Sequence, residues 1–227
     1  MDFLDRTKLL IGEDNLDKLK SSKVIIFGIG GVGGHTAEML VRSGVGSITI
    51  VDFDIVDKSN INRQIIALHS TIGEPKVEVM KKRLLDINPD LKINAMQNKV
   101  NSENIGIFSL QEYDYVIDAI DIVTDKISLI KECHSLGVKC ISAMGAGNRY
   151  TVPEFECCDI FKTHNDGLAK IMRKKLKEEG ILSHEVVFTS QDAVSNGRVV
   201  GSISFYPAMC GCCMAGKVIN DLISKTK

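Results

Sequence analysis

The chain has 227 residues and a mass of 24.9 kDa, with 44% hydrophobic and 25% charged residues, which suits one large α/β unit that buries a core and stays soluble. A net charge of -1 excludes a chain dominated by polyanion binding and leaves room only for a local basic patch. Seven cysteines, an odd number without framework spacing, point to reduced thiols and a cytosolic setting.

Met1 to Lys20 is charged and amphipathic, without the apolar core of a secretory signal, and residues 1–22 read as an N-terminal helical segment. Lys23 to Gly28 (KVIIFG) is a continuous apolar run entering a glycine turn, the pattern of a buried parallel strand. Thr36 to Ser43 follows with helical spacing and Gly44 at its C-cap, and Ser47 to Asp52 is a second buried strand. Pro75 opens a helix carrying Val77, Met80, Leu84 and Leu85, which Asn88-Pro89 stops. A third strand is expected over Leu91 to Met96 and a short helix after Asn101. A fourth strand follows over Tyr115 to Asp118, a helix over Lys126 to Leu136, and a fifth strand over Val138 to Ala143.

From Tyr150 the rhythm changes. Strands are expected over Glu154 to Phe161, Glu185 to Thr189 and Val200 to Phe205, in antiparallel pairing, around a charged helix from Asp166 to Gly180. Val199 to Gly216 carries no charge and must be weighed as a membrane span. Pro207 divides it, and a buried strand followed by a buried helix is the better reading. The fold class is therefore α/β: a doubly wound, Rossmann-like, mostly parallel sheet extended by antiparallel strands in the C-terminal third. No linker interrupts the chain, so residues 1–227 read as a single domain. Residues 23–150 form its nucleotide-binding part, and residues 151–227 a substrate-facing part that ends in a helix.

Gly28-Ile29-Gly30-Gly31-Val32-Gly33 follows a strand and opens a helix, as a phosphate-binding turn does. Asp52 ends the second strand, where a ribose hydroxyl needs an acceptor, and Asp54 lies just beyond. An NAD site would look the same to this point. Three further segments depart from that pattern: Ser59-Asn60-Ile61-Asn62-Arg63-Gln64, then Gly73-Glu74-Pro75-Lys76, then Asp118-Ala119-Ile120-Asp121. Attack of a carboxylate on the α-phosphate of ATP brings two anions together, and Arg63 and Lys76 are the cations such a step needs, with Asp121 a hard ligand for Mg2+.

These segments, from about Lys23 to Ala143, resemble the superfamily of E1-like enzymes, which adenylate carboxylates. The resemblance implies that Gly28, Gly30, Gly31 and Gly33 cradle the nucleotide and that Asp52, Asp54, Asn60, Asn62, Arg63 and Lys76 line its site. It also implies that Asp52 binds ribose, Asn60 and Arg63 contact phosphates, Lys76 neutralises them, and Asp121 coordinates Mg2+. Arg6 resembles the arginine that such proteins offer across a two-fold homodimer to the partner's ATP.

In the C-terminal third, Asp159 to Ala169 (DIFKTHNDGLA) and Gly201 to Ala208 (GSISFYPA) resemble the branch of tRNA threonylcarbamoyladenosine dehydratases, with Gly167 standing where that branch has proline. The branch implies ATP-dependent cyclisation of the threonylcarbamoyl group on adenosine 37 of tRNA, in the cytoplasm. Lys162, His164, Lys170, Arg173, Lys174 and Lys177 are then the expected tRNA contacts. Dependence on a monovalent cation stays open. Zinc is not expected: Cys210 and Cys213 form one spaced pair, whereas Cys157 and Cys158 are adjacent. Cys210, Cys212 and Cys213 read as small buried helix residues or, in a second reading, as a relay with a cysteine desulfurase. Two competing readings of the chain remain: activation of a ubiquitin-like sulfur carrier, which needs a reactive thiol, and an NAD-binding module.

Overall fold

The apolar run of β1 (Lys23–Phe27) is sorted by the pleat of the strand. Val24 and Ile26 enter one core layer, Ile25 and Phe27 the other, and all four are fully buried. The computed structural model, which describes residues 2–194 and 199–224, sets β1 between β2 (Ser47–Val51) and β4 (Tyr115–Asp118), both parallel to it. β3 (Lys92–Met96), β5 (Cys140–Ala143), β6 (Glu156–Asp159) and β7 (Glu185–Phe188) complete a seven-stranded sheet of order β3-β2-β1-β4-β5-β7-β6. β1 and β4 flank the point where the winding reverses, the place where open α/β sheets hold ligands.

On one face lie α3 (Gly33–Arg42), α4 (Lys76–Ile87) and α7 (Phe205–Ile223). On the other lie α5 (Val123–Leu136) and α6 (Gly167–Glu178). The N-terminal segment forms two helices, α1 (Asp5–Ile11) and α2 (Glu13–Ser21), broken at Gly12, whose φ of +84° favours glycine. α7 reaches the start of α3 because Gly211 has no side chain: a Cβ there would lie 2.5 Å from the Val32 carbonyl oxygen. The Thr36 hydroxyl donates to the Gly211 carbonyl at 3.2 Å across the same contact.

Three expectations are corrected. Val200 to Phe205 is not a strand; residues 200–204 are an irregular approach to α7, and Phe205 is the first residue of that helix. The Gly201 carbonyl accepts the Asn148 amide and the Gly201 amide donates to Asn148 Oδ1, so these bonds go to a loop residue instead of a neighbouring strand. Pro207 sits in the first turn of α7, where its missing N–H would have no partner in any case. β7 runs parallel to β5, and only its partner β6 is antiparallel; Val186, Val187 and Phe188 give β7 the all-apolar character of an interior strand. The region after Asn101 forms short 3-10 turns over Ile105–Phe108 and Leu110–Glu112. No helix among the described residues is long and apolar enough to cross a membrane.

His184, at the entrance to β7, bonds the Ser142 hydroxyl through Nε2 at 2.8 Å and is 4% exposed. Burial, with a smaller push from His134, lowers its pKa to about 3. The folded protein thus refuses a proton that the unfolded chain accepts near pH 6.5. Stability present above pH 6.5 should drain as pH falls towards 3. Urea midpoints measured from pH 7 to pH 4 should fall more steeply for the wild type than for His184→Gln, and equal slopes would refute the assignment.

Candidate functional site

Gly28 leaves β1 with a φ of +89°, and a Cβ on it would stand 2.6 Å from the Ala119 carbonyl oxygen. A Cβ on Gly33 would stand 1.8 Å from the Gly28 carbonyl oxygen. The loop is therefore folded onto itself and onto the end of β4, and it delivers the free amides of the α3 N-terminus at the carboxyl edge of the sheet. Gly31 packs against Pro207 of α7 and the Arg63 carbonyl, so the loop carrying Arg63 and the start of α7 form its walls.

Asp52 anchors this loop. Oδ2 accepts the Ile29 amide at 2.6 Å and Oδ1 accepts the Asp54 amide at 2.9 Å. Burial raises its pKa, opposed by the nearby Lys76 ammonium and by these two amides. Lys76 opens α4, is 5% exposed, and places Nζ 2.7 Å from Asp54 Oδ2. Asp52, Asp54 and Lys76 are thus brought together beside the glycine loop, although they lie on different elements.

The loop from Asp57 to Gln64 divides its labour in a way that residue type alone does not foretell. Asn60 is buried and its Oδ1 accepts the Asp57 amide at 3.0 Å, so that oxygen caps a 3-10 turn (Lys58–Asn60). Asn62 donates to the Ser202 carbonyl at 2.9 Å, tying the loop to the approach of α7. Arg63 is half-buried, with Nη1 donating to the Ser59 carbonyl and to Asn62 Oδ1, each at 2.9 Å. Gln64 received no role from sequence. It is 7% exposed, its Oε1 has no hydrogen-bond partner among the described residues, and its amide nitrogen approaches Gly30. An orphaned buried oxygen beside a phosphate-type loop marks a place for a ligand's donor. Asp121 is exposed at the end of the turn after β4, without a hydrogen bond or ion pair among the described residues.

The expected tRNA contacts divide as well. Lys162, His164, Lys170, Lys174 and Lys177 are exposed. Arg173 is half-buried and donates to the Thr163 carbonyl and hydroxyl, so its guanidinium ties α6 to the preceding turn. The buried face of α6 consists of Ala169, Met172 and Leu176, whereas Ile171 is 50% exposed. Asp166 caps α6 through the Ala169 amide and also accepts the Gly145 amide. Gly167 follows as the first helical residue, a position that admits proline or glycine alike. Arg6 is exposed on α1.

Two buried cations received no role from sequence. Arg149, 7% exposed, donates to the carbonyls of Gln191, Gly145 and Gly147 and ties the loops after β5 and β7 together. Lys126, fully buried, pairs with the equally buried Asp118 at 2.9 Å. A signal for Lys126 existed, since it stands on the stripe of Leu129, Ile130 and Cys133, spaced i, i+3, i+4 and i+7. Burial pushes the thiols of Cys212 and Cys213 up, and that of Cys157 to about 11, which leaves little thiolate at neutral pH.

The backbone collision at Gly33 makes a prediction. Gly33→Ala should lower folding stability by about 1–3 kcal/mol, as overpacking does. Gly106→Ala, whose Cβ meets nothing within 4 Å, should change it little. Equal urea midpoints for the two variants would show that the loop yields freely.

The fold is shared with known proteins. The chain is 41% identical to a Bacillus subtilis tRNA threonylcarbamoyladenosine dehydratase, covering 96% of this chain and 93% of that protein. It superposes with a TM-score of 0.92, at 33% identity, on the Escherichia coli tRNA N6-threonylcarbamoyladenosine dehydratase TcdA crystallised with ATP, covering 97% of this chain and 93% of that one. A Haemophilus influenzae molybdopterin-synthase adenylyltransferase is 32% identical over 75% of this chain and 70% of its own length. A family model, described as the ThiF family, matches residues 4–227. Glycine turn, anchored Asp52 and sheet order thus lead to one statement: the chain belongs to the ThiF family.

Proposed function

We propose that this protein is an ATP-dependent tRNA-modifying enzyme that cyclises the threonylcarbamoyl group of N6-threonylcarbamoyladenosine, at position 37 of tRNA, with loss of water. The observation that carries the reading is the meeting of the glycine loop, Asp52 and the buried Lys76 at the carboxyl edge of the sheet, in a chain similar to dehydratases over almost its whole length. ATP fits the residues present. The glycine loop leaves no room for side chains at Gly28 and Gly33, Asp52 is an acceptor for ribose, and Gln64 brings its amide nitrogen towards Gly30.

The substrate carboxylate attacks the α-phosphorus of ATP and pyrophosphate leaves. The adenine N6, the far nitrogen of the urea, then attacks the activated carbonyl, loses its proton and expels AMP, closing a five-membered ring. Lys76 and Arg63 supply positive charge to the phosphates, most useful as pyrophosphate departs. Asp121 would hold Mg2+, which supplies further charge neutralisation to the same phosphates. Lys162, His164, Lys170, Lys174 and Lys177 offer exposed positive or hydrogen-bonding groups to the tRNA.

A nucleophile in the same molecule makes a transient enzyme thioester unnecessary, because effective molarities in such closures reach about 10⁵ M or more. The chain carries no cysteine between Cys158 and Cys210, the stretch in which a thioester-forming loop thiol would be expected. Activation of a sulfur-carrier protein is the second reading, favoured by relatives such as the molybdopterin-synthase adenylyltransferase.

Pyrophosphate release from ATP should appear with tRNA bearing the modification and not with tRNA lacking it, and mass spectra of the digested nucleosides should show loss of one water. Lys76→Met and Asp121→Ala should each reduce the rate by about 100-fold or more. No release with either tRNA, but release with a protein ending in Gly-Gly, would favour the second reading.

A two-fold homodimer belongs to the same proposal. α1 exposes Leu9 at 83% and Leu10 at 85%, beside Arg6, an apolar surface suited to a second copy. If Arg6 serves the partner's ATP, mixing inactive Arg6→Ala and Lys76→Met proteins should restore part of the activity through one intact site per heterodimer. Failure of mixing to restore any would place Arg6 in its own subunit's site or outside both.

A further inference from the structure

The turn from β4 to α5 carries Asp121 on a buried ionic brace. Asp118, the last residue of β4, and Lys126, in the first turn of α5, have no solvent exposure, and Lys126 Nζ lies 2.9 Å from Asp118 Oδ2. Asp118 Oδ1 accepts the Ile120 amide at 3.0 Å, and Lys126 Nζ donates to the Ile120 carbonyl at 3.1 Å. Both polar groups of Ile120 are therefore held by the two members of one ion pair. The backbone amide of Lys126 also bonds the Ile122 carbonyl at 3.0 Å. Residues 120 and 122 are both tied to Lys126, and Asp121 between them is the exposed one. The same turn rests on the glycine loop, since the Ala119 amide donates to the Phe27 carbonyl at 2.8 Å and the Ala119 carbonyl faces Gly28.

Burying two charges is costly unless both find partners, and a neutral pair would hold the core at least as well. A carbonyl-gripping ammonium, by contrast, fixes the peptide plane that leads into Asp121. From this geometry we infer that Lys126, with Asp118, is a positioning residue: it sets the Asp121 carboxylate at the place where a divalent cation joins the nucleotide phosphates. The inference rests on the metal-binding role of Asp121 in the proposed function. Lys126 touches neither nucleotide nor metal. Its effect passes through Ile120 to Asp121.

The test uses the full chain and a variant in which the pair is made neutral and close in size, Asp118→Asn with Lys126→Met, checked for folding by thermal unfolding. Lys126→Arg, which keeps the charge, serves if the neutral pair fails to fold. Binding of Mn2+ to the ATP-loaded protein, followed by electron paramagnetic resonance, is the readout beside activity. The neutral pair should weaken Mn2+ binding at least tenfold and raise the Mg2+ needed for half-maximal pyrophosphate release in parallel. ATP affinity without divalent ions should stay within threefold, and Lys126→Arg should fall between wild type and neutral pair. Added to Asp121→Glu, the neutral pair should cost less than threefold more, because its route is already broken. Wild-type Mn2+ binding in a folded neutral pair or in Lys126→Arg, or a full independent loss on top of Asp121→Glu, would overturn the positioning role alone. Unchanged Mn2+ binding in Asp121→Ala would instead overturn the metal role of Asp121, and with it the purpose of the brace.

Discussion

Between Phe27 and Ala119 the backbones of two neighbouring parallel strands leave the sheet in contact, and the rest of the site is arranged around that contact. Gly28 accepts a positive φ and admits the Ala119 carbonyl where any Cβ would collide. Gly33 then lets the loop close on itself so that α3 begins immediately behind it. Because β1 and β4 are also the strands between which the winding reverses, the contact places the α3 N-terminus and the Asp121 turn on either side of one crevice. A looser approach at Gly28 would separate these two halves, and neither carries the whole chemistry alone.

The charges around the crevice are held in two different ways. Lys76 and Lys126 are buried, and each is matched by a carboxylate, half-exposed Asp54 for Lys76 and fully buried Asp118 for Lys126. Lys76 is thereby oriented before a ligand arrives, so little reorganisation is needed when phosphate charge develops, whereas Lys126 acts only on the backbone of its own turn. Arg63 is more exposed and tied to its own loop through Ser59 and Asn62. Its loop is in turn joined to α7 through the Asn62 bond to Ser202 and the packing of Gly31 on Pro207. The irregular stretch before α7, expected to be a strand, thus holds the Arg63 loop through Ser202.

The parts most legible in sequence were those with a local period or a steric requirement. The apolar runs of β1, β2 and β4 can only be buried strands, and the glycine spacing demanded a close backbone approach that the structure contains. The roles of Asn60, Arg173, Arg149 and Lys126 were not legible in the same way. Their partners are a cap within the loop, a hydroxyl and carbonyl before a helix, the carbonyls of loops distant in sequence, and a buried carboxylate on another element. A polar residue's type does not say whether it faces solvent, a ligand or a carbonyl; tertiary packing decides that. Val200 to Phe205 failed for a related reason. Its Gly201 bonds instead to the backbone amide and side chain of Asn148, and the stretch pairs with no strand among the described residues.

The relation between this site and the chemistry of its family follows from where the nucleophile resides. A protein that activates a carboxylate on a separate carrier must hand the acyl group to something, and a low-pKa, accessible thiol is the usual acceptor. Here burial raises the thiols of Cys157, Cys212 and Cys213, so their thiolate is scarce at neutral pH. A substrate that brings its own nitrogen within reach of the adenylated carbonyl removes the need for such a thiol. The enzyme's task then contracts to holding the carboxylate against the α-phosphate and keeping the loops still. Arg149 ties the β5 and β7 loops together, and Asp166 ties α6 to Gly145. On this view the C-terminal third supplies rigidity at the carboxyl edge of the sheet in place of a reactive group there.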